Sequence, residues 1–445
     1  MKFKVLFFIL LLLSCTPEFD LLIRDVNVID MESGVILRRD VLIRDSLIVE
    51  IAAPHSASRS AAKILEGSGH YLMPGLWDMH VHIQDSTYLS MFLDYGITGV
   101  RDMGGCVQRP TDGCESLCPT HLNCWKKAIQ EGTLEGPQLV IAGRQLSRTG
   151  WPTAHSVSTE EDVGKAFAQN LRDEVDFIKV YEDIPWESYQ EIARLAKQHH
   201  LDFAGHVSEP FLLSDILDLG QKSIEHMREP LLYSFTGDSL ELEQFMEADG
   251  YTEEDREFVQ PWIADAEEVV RAFQLNKAWF TPTMAVQYAR LRYEDKQWIH
   301  HPLRKRMPPS VNAGMQAHLR ARMASPDQKG DSLWWMALSR LVKRFSTVNI
   351  GMLAGSDAAC EGGLPGYSLH EELFLMVEGA GLTPLEALRT ATVNPAAYFA
   401  LGRQGQVRET YYANLLLLSH NPLENIRNTQ TIKAVIKNGR LVREN

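Results

Sequence analysis

Two histidines one residue apart, His80 and His82, are the side chains of this sequence best placed to do chemistry. They lie in the stretch GLWDMHVHI, an apolar run that begins just after Pro74. Side chains at positions i and i+2 of a β-strand point to the same face, so both imidazoles are directed to one side. A single buried histidine is usually an ordinary core residue, whereas two on one face favour a metal ion.

Other polar side chains occur in or directly after short apolar segments. Lys179 lies within FIKV, His206 ends AGHV, His226 follows SIE, and Asp357 follows LAGS. Taken singly, each histidine could be a core residue and Asp357 could cap a helix. A buried ammonium, however, is costly without a partner. Because all these residues lie at predicted strand ends, we expect them to meet in space and form a metal site.

The elements that must position these residues alternate between short apolar strands and helical stretches. Eight such units fit a (β/α)8 barrel, in which active sites form at the carboxyl ends of the strands. A doubly wound open sheet is the alternative, but it would usually carry a Gly-rich phosphate loop after its first strand, and this sequence has none. The eight predicted strands are GLWDMHVH, GITGVRDMG, PQLVIAGRQ, VDFIKVY, LDFAGHV, KSIEHM, AWFTPTM and NIGMLAGSD.

The two ends of the chain have a different pattern, in which short alternating segments are separated by turn residues. This pattern predicts β-strands, and Asn438-Gly439 is a strong signal for a two-residue hairpin turn. We therefore expect residues 19–74 and 402–445 to form one small β-sandwich domain, and residues 75–401 to form the barrel.

Composition limits the range of partners. The chain has 445 residues, of which 45% are apolar and 23% charged, as in an ordinary globular protein. With 44 Lys and Arg against 58 Asp and Glu, the net charge is 44 − 58 = −14. This acidic balance argues against a nucleic-acid partner and against a polybasic membrane patch. It leaves the oligomeric state open, and a homo-oligomer is compatible with it.

The N-terminus reads as an export signal. Lys2 and Lys4 precede an apolar run from Val5 to Leu13, which is too short to span a bilayer comfortably. The ending LLSC resembles a bacterial lipobox, so residues 1–15 are predicted to be a lipoprotein signal peptide with Cys15 as the lipidated residue. An ordinary signal peptide is the alternative. The predicted location is exported and membrane-anchored, on the periplasmic or cell-surface side.

Export affects the interpretation of the remaining cysteines. Four of them lie in one polar loop, and in an oxidising compartment they suggest two disulfides with three pairings open. A structural zinc site is the competing interpretation, but the spacing lacks a pair of CxxC motifs. Cys360 is then left over and expected to be free. The four loop cysteines are Cys106, Cys114, Cys118 and Cys124.

The motif set resembles the amidohydrolase superfamily, most closely its imidazolonepropionase-like and prolidase-like branch. The resemblance rests on DMHVH, the strand lysine, the two later histidines and GSDA, in that order, together with GITGVRDMGG, SIEHM and GLTPLEALRTATVNPA. It covers nearly the whole mature chain. Departures lie in the predicted sandwich, where Asn414 replaces an aspartate and Asp45-Ser46 replaces an Asp-Gly turn.

The resemblance implies a centre with two divalent metal ions. Nitrogen and oxygen ligands without thiolate suit zinc best, with manganese or cobalt as alternatives. The implied catalyst is a metal-bridging hydroxide, with Asp357 as the proton shuttle. The implied ligands are His80, His82 and Asp357 at the first ion, His206 and His226 at the second, and Lys179, carboxylated by CO2, between them.

Three further residues are candidates for contact with the substrate. His155 lies beyond the third strand, Tyr181 lies two residues after Lys179 and shares its face, and Arg144 could bind a carboxylate through its planar guanidinium. Each also has an ordinary interpretation as a loop or strand-end residue.

The function expected from the resemblance is hydrolysis of a carbon–nitrogen (amide) bond in a small substrate such as an N-acyl amino acid or a dipeptide. Alternatives within the same chemistry are a cyclic-amide or lactone hydrolase and a deaminase. The deaminase is less favoured because that chemistry commonly uses one metal and has no need of Lys179. A non-catalytic lipoprotein that keeps the barrel as a scaffold ranks lower, because all six implied ligands are present.

Overall fold

The structure is a computed structural model that describes residues 18–55, 60–109, 116–149, 153–208, 211–227, 267–324 and 328–445. The predicted signal peptide (residues 1–15) and Cys114 lie outside these ranges. The strands are β1 (Phe19–Ile29), β2 (Ile36–Arg44), β3 (Leu47–Ala52), β4 (Ala61–Glu66), β5 (Tyr71–Pro74), β6 (Leu76–Val81), β7 (Ile97–Asp102), β8 (Gln138–Ile141), β9 (Leu146–Ser147), β10 (His155–Ser156), β11 (Phe177–Val180), β12 (Asp202–Gly205), β13 (Ser223–Glu225), β14 (Trp279–Thr281), β15 (Gly351–Met352), β16 (Leu415–Leu418), β17 (Ile432–Lys437) and β18 (Arg440–Glu444).

Helices follow most of the barrel strands. Two of them begin with a capping box, in which Thr159 pairs with Asp162 and Thr383 with Glu386. The α-helices of the described ranges are Thr87–Asp94, Pro119–Gln130, Glu160–Arg172, Trp186–His199, Leu213–Asp218, Glu267–Asn276, Met284–Leu291, Lys296–Ile299, Pro309–Ala324, Gln328–Thr347, Tyr367–Glu378, Pro384–Thr390 and Val393–Tyr398, and short 3-10 helices lie at Pro302–Arg306, Cys360–Gly362 and Ile426–Gln430.

Eight parallel strands close into the predicted barrel. The strands β6-β7-β8 form one parallel sheet, and β11-β12-β13-β14-β15 continue in a second sheet that also carries β9 and β10. A parallel bridge between Ala142 and Phe177 joins β8 to β11, and another between Val81 and Ala358 closes the circle. The (β/α)8 fold is thus confirmed, and its eight strands are those that the sequence predicts.

A separate mixed sheet is built from both ends of the chain, also as predicted. Its strand order is β18-β17-β16-β5-β1-β2-β3, with β4 beside β1. Asn438 and Gly439 connect β17 to β18 with φ of 49° and 76°, the conformation that a type I′ turn requires. Strand β5 leads directly into β6, so this sheet is joined to the barrel next to His80. The domain boundaries at residues 75 and 401 stay a prediction.

The connection from β14 to β15 is the longest described insertion in the barrel. It contains the helices Met284–Leu291, Lys296–Ile299, Pro309–Ala324 and Gln328–Thr347. Long connections at this end of a barrel usually shape the mouth of the active site. No helix in the described ranges is both long enough and apolar enough to cross a membrane.

The cysteine prediction is partly wrong. Cys106 and Cys118 form a disulfide, but Cys124 is free and exposed. Cys360, which was expected to be free, is itself disulfide-bonded. The sequence could not give this outcome, because pairing depends on which sulfur atoms the fold brings within bonding distance and not on the spacing of cysteines in one loop.

Candidate metal centre

His80 lies on β6 and His82 directly follows this strand, and both meet Asp357 where the barrel closes. The Nε2 atoms of both imidazoles lie 3.4 Å from the same oxygen, Oδ1 of Asp357. The backbone supports this approach, because the amide of Asp357 donates to the carbonyl of His80 at 2.8 Å. Oδ1 of Asp357 is buried and accepts no hydrogen bond within the described chain. Two imidazole nitrogens around an unsatisfied carboxylate oxygen are a suitable set of donors for a divalent cation.

The other two predicted histidines extend this cluster. The ring centroids of His80 and His226 are 4.7 Å apart, and those of His206 and His226 are 4.8 Å apart. Ligand atoms of His80, His226 and Asp357 all lie within 4.8 Å of one another. All four predicted imidazoles are therefore brought together with Asp357. A second close group joins His82 and Asp357 to Cys360, but a cysteine held in a disulfide offers no thiolate.

Each of the four imidazoles is held from its Nδ1 side. An acceptor on Nδ1 fixes the proton there and directs the Nε2 lone pair away from it, which is how proteins orient metal-binding histidines. The four contacts are His80 to Oε2 of Glu225 at 2.9 Å, His82 to the carbonyl of Gly104 at 3.1 Å, His206 to Oε1 of Glu182 at 2.8 Å and His226 to Oγ1 of Thr283 at 2.7 Å.

Lys179 lies on β11 inside the barrel and is 1% exposed. Burial lowers the pKa of its ammonium to about 8, although the carboxylates of Glu225 and Asp357 act in the opposite direction. In the part of the chain that the structure describes, its Nζ makes no hydrogen bond or ion pair. A buried amine with a lowered pKa is readily present in the neutral form, which is the form that reacts with CO2.

Arg101 and Glu225 were missed by the sequence reasoning. Both side chains are fully buried, and Nη2 of Arg101 lies 2.8 Å from each carboxylate oxygen of Glu225. Burial opposes ionisation of Glu225, but Arg101 and Lys179 outweigh it and hold the pKa of this carboxyl below its ordinary value. The signal was present in GVRD and SIEH, which place Arg101 and Glu225 within buried strands.

Asp78 links the strand that carries His80 to the segment that carries Asp357. Its carboxylate accepts hydrogen bonds from the amide of Ser356 at 2.9 Å, from Oγ of Ser356 at 2.6 Å and from the amide of His80 at 3.3 Å. Burial raises the pKa of Asp78 to about 7. The residue therefore fixes the distance between two of the candidate ligands.

Asp102 helps to position His82 in a similar way. It accepts hydrogen bonds from the amide of Ile83 at 2.8 Å, from Oγ of Ser116 at 2.7 Å and from the amide of Gly104 at 3.0 Å. Because the carbonyl of Gly104 holds Nδ1 of His82, this carboxylate fixes the loop that orients the imidazole.

Of the three predicted substrate residues, Tyr181 lies next to a candidate ligand. The ring of Tyr181 lies 4.1 Å from that of His206, which places it beside the metal candidates. His155 lies on β10, which pairs with β9, and β9 pairs with the carboxyl end of β11. Burial, and to a lesser degree the charge of Arg144, lower the pKa of His155. Their contact with a substrate stays a prediction.

Comparison with known proteins agrees with this geometry. The model of the amidohydrolase family matches residues 335–442. A dihydroorotase of Carboxydothermus hydrogenoformans is 43% identical over 68 residues, 15% of either chain. The ochratoxinase of Aspergillus niger is 44% identical over 85 residues, 18% of this chain and 16% of the ochratoxinase. The chain thus matches only about a sixth of the length of these curated relatives.

Solved structures match over nearly the whole chain. A Xaa-Pro dipeptidase with methionine bound in its active site is 20% identical, with a TM-score of 0.66 over 96% of this chain and 100% of the dipeptidase. The A. niger ochratoxinase is also 20% identical, with a TM-score of 0.64 over 95% of each chain. The resemblance to the amidohydrolase superfamily, and in fold to its prolidase-like members, is confirmed.

Proposed function

We propose that this protein is a metal-dependent hydrolase of the carbon–nitrogen bond of a small amide, with two divalent ions held by its six predicted ligands. The observation that carries the proposal is the approach of the imidazoles of His80 and His82 to one unsatisfied oxygen of Asp357, at 3.4 Å each. The amidohydrolase-family match over residues 335–442 supports the same reaction class.

The residues fit such ions by their chemistry. His80, His82 and Asp357 would hold one ion, and His206 and His226 a second, with nitrogen and oxygen donors that suit zinc. When bound, divalent ions would polarise the substrate carbonyl and lower the pKa of water.

Lys179 would complete the centre as a carbamate. Its neutral amine would attack the carbon of CO2, a C–N bond would form as one C=O π bond opens, and one proton would leave to solvent, so that the neutral amine becomes an anion with oxygen donors. Starting from the ammonium, two protons would be released. Conversion to an anion also explains why a lysine is found in the interior without an acceptor among the described residues.

The catalytic step would need one positioned proton carrier. Water attacks the carbonyl carbon of the amide while Asp357 accepts a proton from that water. Asp357 then gives the proton to the leaving nitrogen as the C–N bond breaks, so that a carboxylic acid and an amine are produced. Its place between the imidazoles suits this role.

The proposed substrate is an N-acyl amino acid or a dipeptide. Tyr181 lies beside His206, and Arg144, whose charge acts on His155, would attract a substrate carboxylate through its guanidinium. The likeness in fold to a Xaa-Pro dipeptidase supports a substrate of this size.

Assay of the metal-depleted and reconstituted protein tests the proposal. We expect a chelator to abolish hydrolysis of a panel of N-acyl amino acids and dipeptides, and Zn2+, Mn2+ or Co2+ to restore it. Asp357→Asn should remove activity without loss of helix content measured by circular dichroism. Hydrolysis that persists after chelation would contradict the proposal, and release of ammonia would indicate the deaminase instead.

We also propose that the chain is exported and anchored through a lipid on Cys15, on the strength of LLSC alone. Metabolic labelling with a fatty acid should mark the native protein in the membrane fraction. A Cys15→Ala protein should lose the label, and a native protein without label would contradict the anchor.

A further inference from the structure

The contact between Thr283 and His226 is unusual for a threonine at the start of a helix. Thr283 is the N-cap residue of the helix Met284–Leu291, and N-cap threonines normally accept a hydrogen bond from an amide of their own helix. Here the side chain makes no such bond. Its Oγ1 lies instead 2.7 Å from Nδ1 of His226.

The direction of this hydrogen bond follows from the single proton of the hydroxyl. Oγ1 of Thr283 donates that proton to the carbonyl of Pro282 at 2.8 Å. The hydroxyl can therefore only accept from His226, which means that the proton of the neutral imidazole is on Nδ1. The lone pair of His226 is then on Nε2.

The helix start is capped by another residue. Glu372, on the helix Tyr367–Glu378, is completely buried, and its Oε2 accepts the amide of Ala285 at 2.6 Å. The carboxyl group of Glu372 thus accepts the hydrogen bond of an amide that an N-cap side chain normally accepts. Glu372 thus releases the hydroxyl of Thr283 for His226.

The backbone indicates that this arrangement is held against strain. Thr283 has φ of 49° and His226 has φ of 63°, both in the left-handed region. For a β-branched residue such a φ is an outlier that persists only when its surroundings impose it. Thr283 is fully buried, so packing can impose it.

We propose that Thr283 is a positioning residue that sets the tautomer and direction of His226, and that Glu372 keeps its hydroxyl available by capping the helix in its place. The inference rests on the proposed function for the meaning of His226 as a ligand. Nδ1 of His80 and of His206 contacts a carboxylate, and that of His82 lies 3.1 Å from a carbonyl and 3.4 Å from Oγ of Ser116. Nδ1 of His226 is held by the hydroxyl of Thr283, so one ligand of the second ion of the proposed centre depends on a hydroxyl.

The test compares isosteric and conservative variants by metal affinity, measured by competition with a chromophoric chelator. Thr283→Val keeps the shape but removes the acceptor, and should weaken binding of one of the two ions about 10–100-fold. Thr283→Ser should bind both ions nearly as the native protein does. Glu372→Ala should resemble Thr283→Val, whereas Glu372→Gln, which keeps an acceptor oxygen, should not. Thr383→Val is the matched control, because the side chain of Thr383 accepts a hydrogen bond from an amide of its own helix. This variant should leave metal affinity unchanged.

A measurement without metal separates this inference from the proposed function. In the metal-free protein labelled with 15N-histidine, the Nδ1–H resonance of His226 should be present in the native chain and in Thr283→Ser, and lost in Thr283→Val. If the native protein binds no metal, the proposed function is contradicted. The resonance still tests whether Thr283 sets the tautomer of His226. Unchanged metal affinity and an unchanged resonance in Thr283→Val would overturn the inference. Unchanged metal affinity in Glu372→Ala would overturn the proposal that Glu372 caps the helix in place of Thr283.

Discussion

Arg101 and Glu225 form an ion pair from which solvent is completely excluded, and the same carboxylate holds His80 at Nδ1. Arg101 also donates to the carbonyl of Met79 at 2.6 Å, so one guanidinium joins β7, β13 and the strand of the paired histidines. The pair therefore couples the stability of the barrel interior to the orientation of a candidate ligand.

Breaking this pair should destabilise the fold strongly. Arg101→Met leaves Glu225 as a buried charge without its main partner, which costs about 3–5 kcal/mol. We expect that loss in the free energy of unfolding measured with urea. Arg101→Met/Glu225→Leu should be less destabilised than the sum of the single variants. Lys165→Ala, which breaks the exposed pair with Glu161, is the control and should change little. A single variant as stable as the native protein would contradict the prediction.

Removal of Lys179 should reduce metal content. In Lys179→Ala we expect less bound metal, because the bridging anion is missing, and partial recovery of activity when a short carboxylic acid is added. Lys437→Ala is the matched control, because Lys437 is also a buried lysine whose pKa burial lowers to about 8, but it lies on β17 of the terminal sheet. Full activity of Lys179→Ala without added acid would argue against the carbamate.

His370 should make the fold sensitive to acid. It is buried between Oγ1 of Thr429 at 2.8 Å and the carbonyl of Tyr95 at 2.9 Å, and burial lowers its pKa from 6.5 to about 4. Below pH 6.5 the imidazole of His370 is protonated in the unfolded chain, whereas in the folded chain it stays neutral until about pH 4. Stability is therefore lost as the pH falls through this window, by about 2 kcal/mol between pH 7 and pH 5.

The comparison of native protein with His370→Gln isolates this contribution. Urea unfolding at both pH values should show a smaller loss on acidification in the variant, because glutamine does not titrate but can still donate to the carbonyl of Tyr95. Equal losses in the two proteins would show that His370 is not the source.

The sequence predicts those parts of the molecule that depend on local spacing. The alternation of strands predicts that His80 and His82 share a face, and Asp357 follows the last barrel strand at the point where its apolar run stops. These rules placed six distant residues at one end of a barrel, and the structure brings four imidazoles and one carboxylate together.

What the sequence did not predict depends on long-range pairing. Arg101 and Glu225 are 124 residues apart in the sequence. Each is a charged residue in a buried strand, and its presence there is explained only by its pairing with the other. Which cysteines pair likewise depends on the sulfur atoms that the fold brings together. The use of Glu372 as the cap of another helix also follows only from the packed structure, since nothing near Thr283 in the sequence indicates that its hydroxyl is diverted.

Elemental analysis of the folded, metal-reconstituted protein tests the central claim most directly. We predict two divalent ions per chain in the native protein and fewer when His80 and His82 are both replaced by alanine, with Lys437→Ala unchanged. A native protein that is folded by circular dichroism and holds no ion after exposure to Zn2+, Mn2+ and Co2+ would contradict the account.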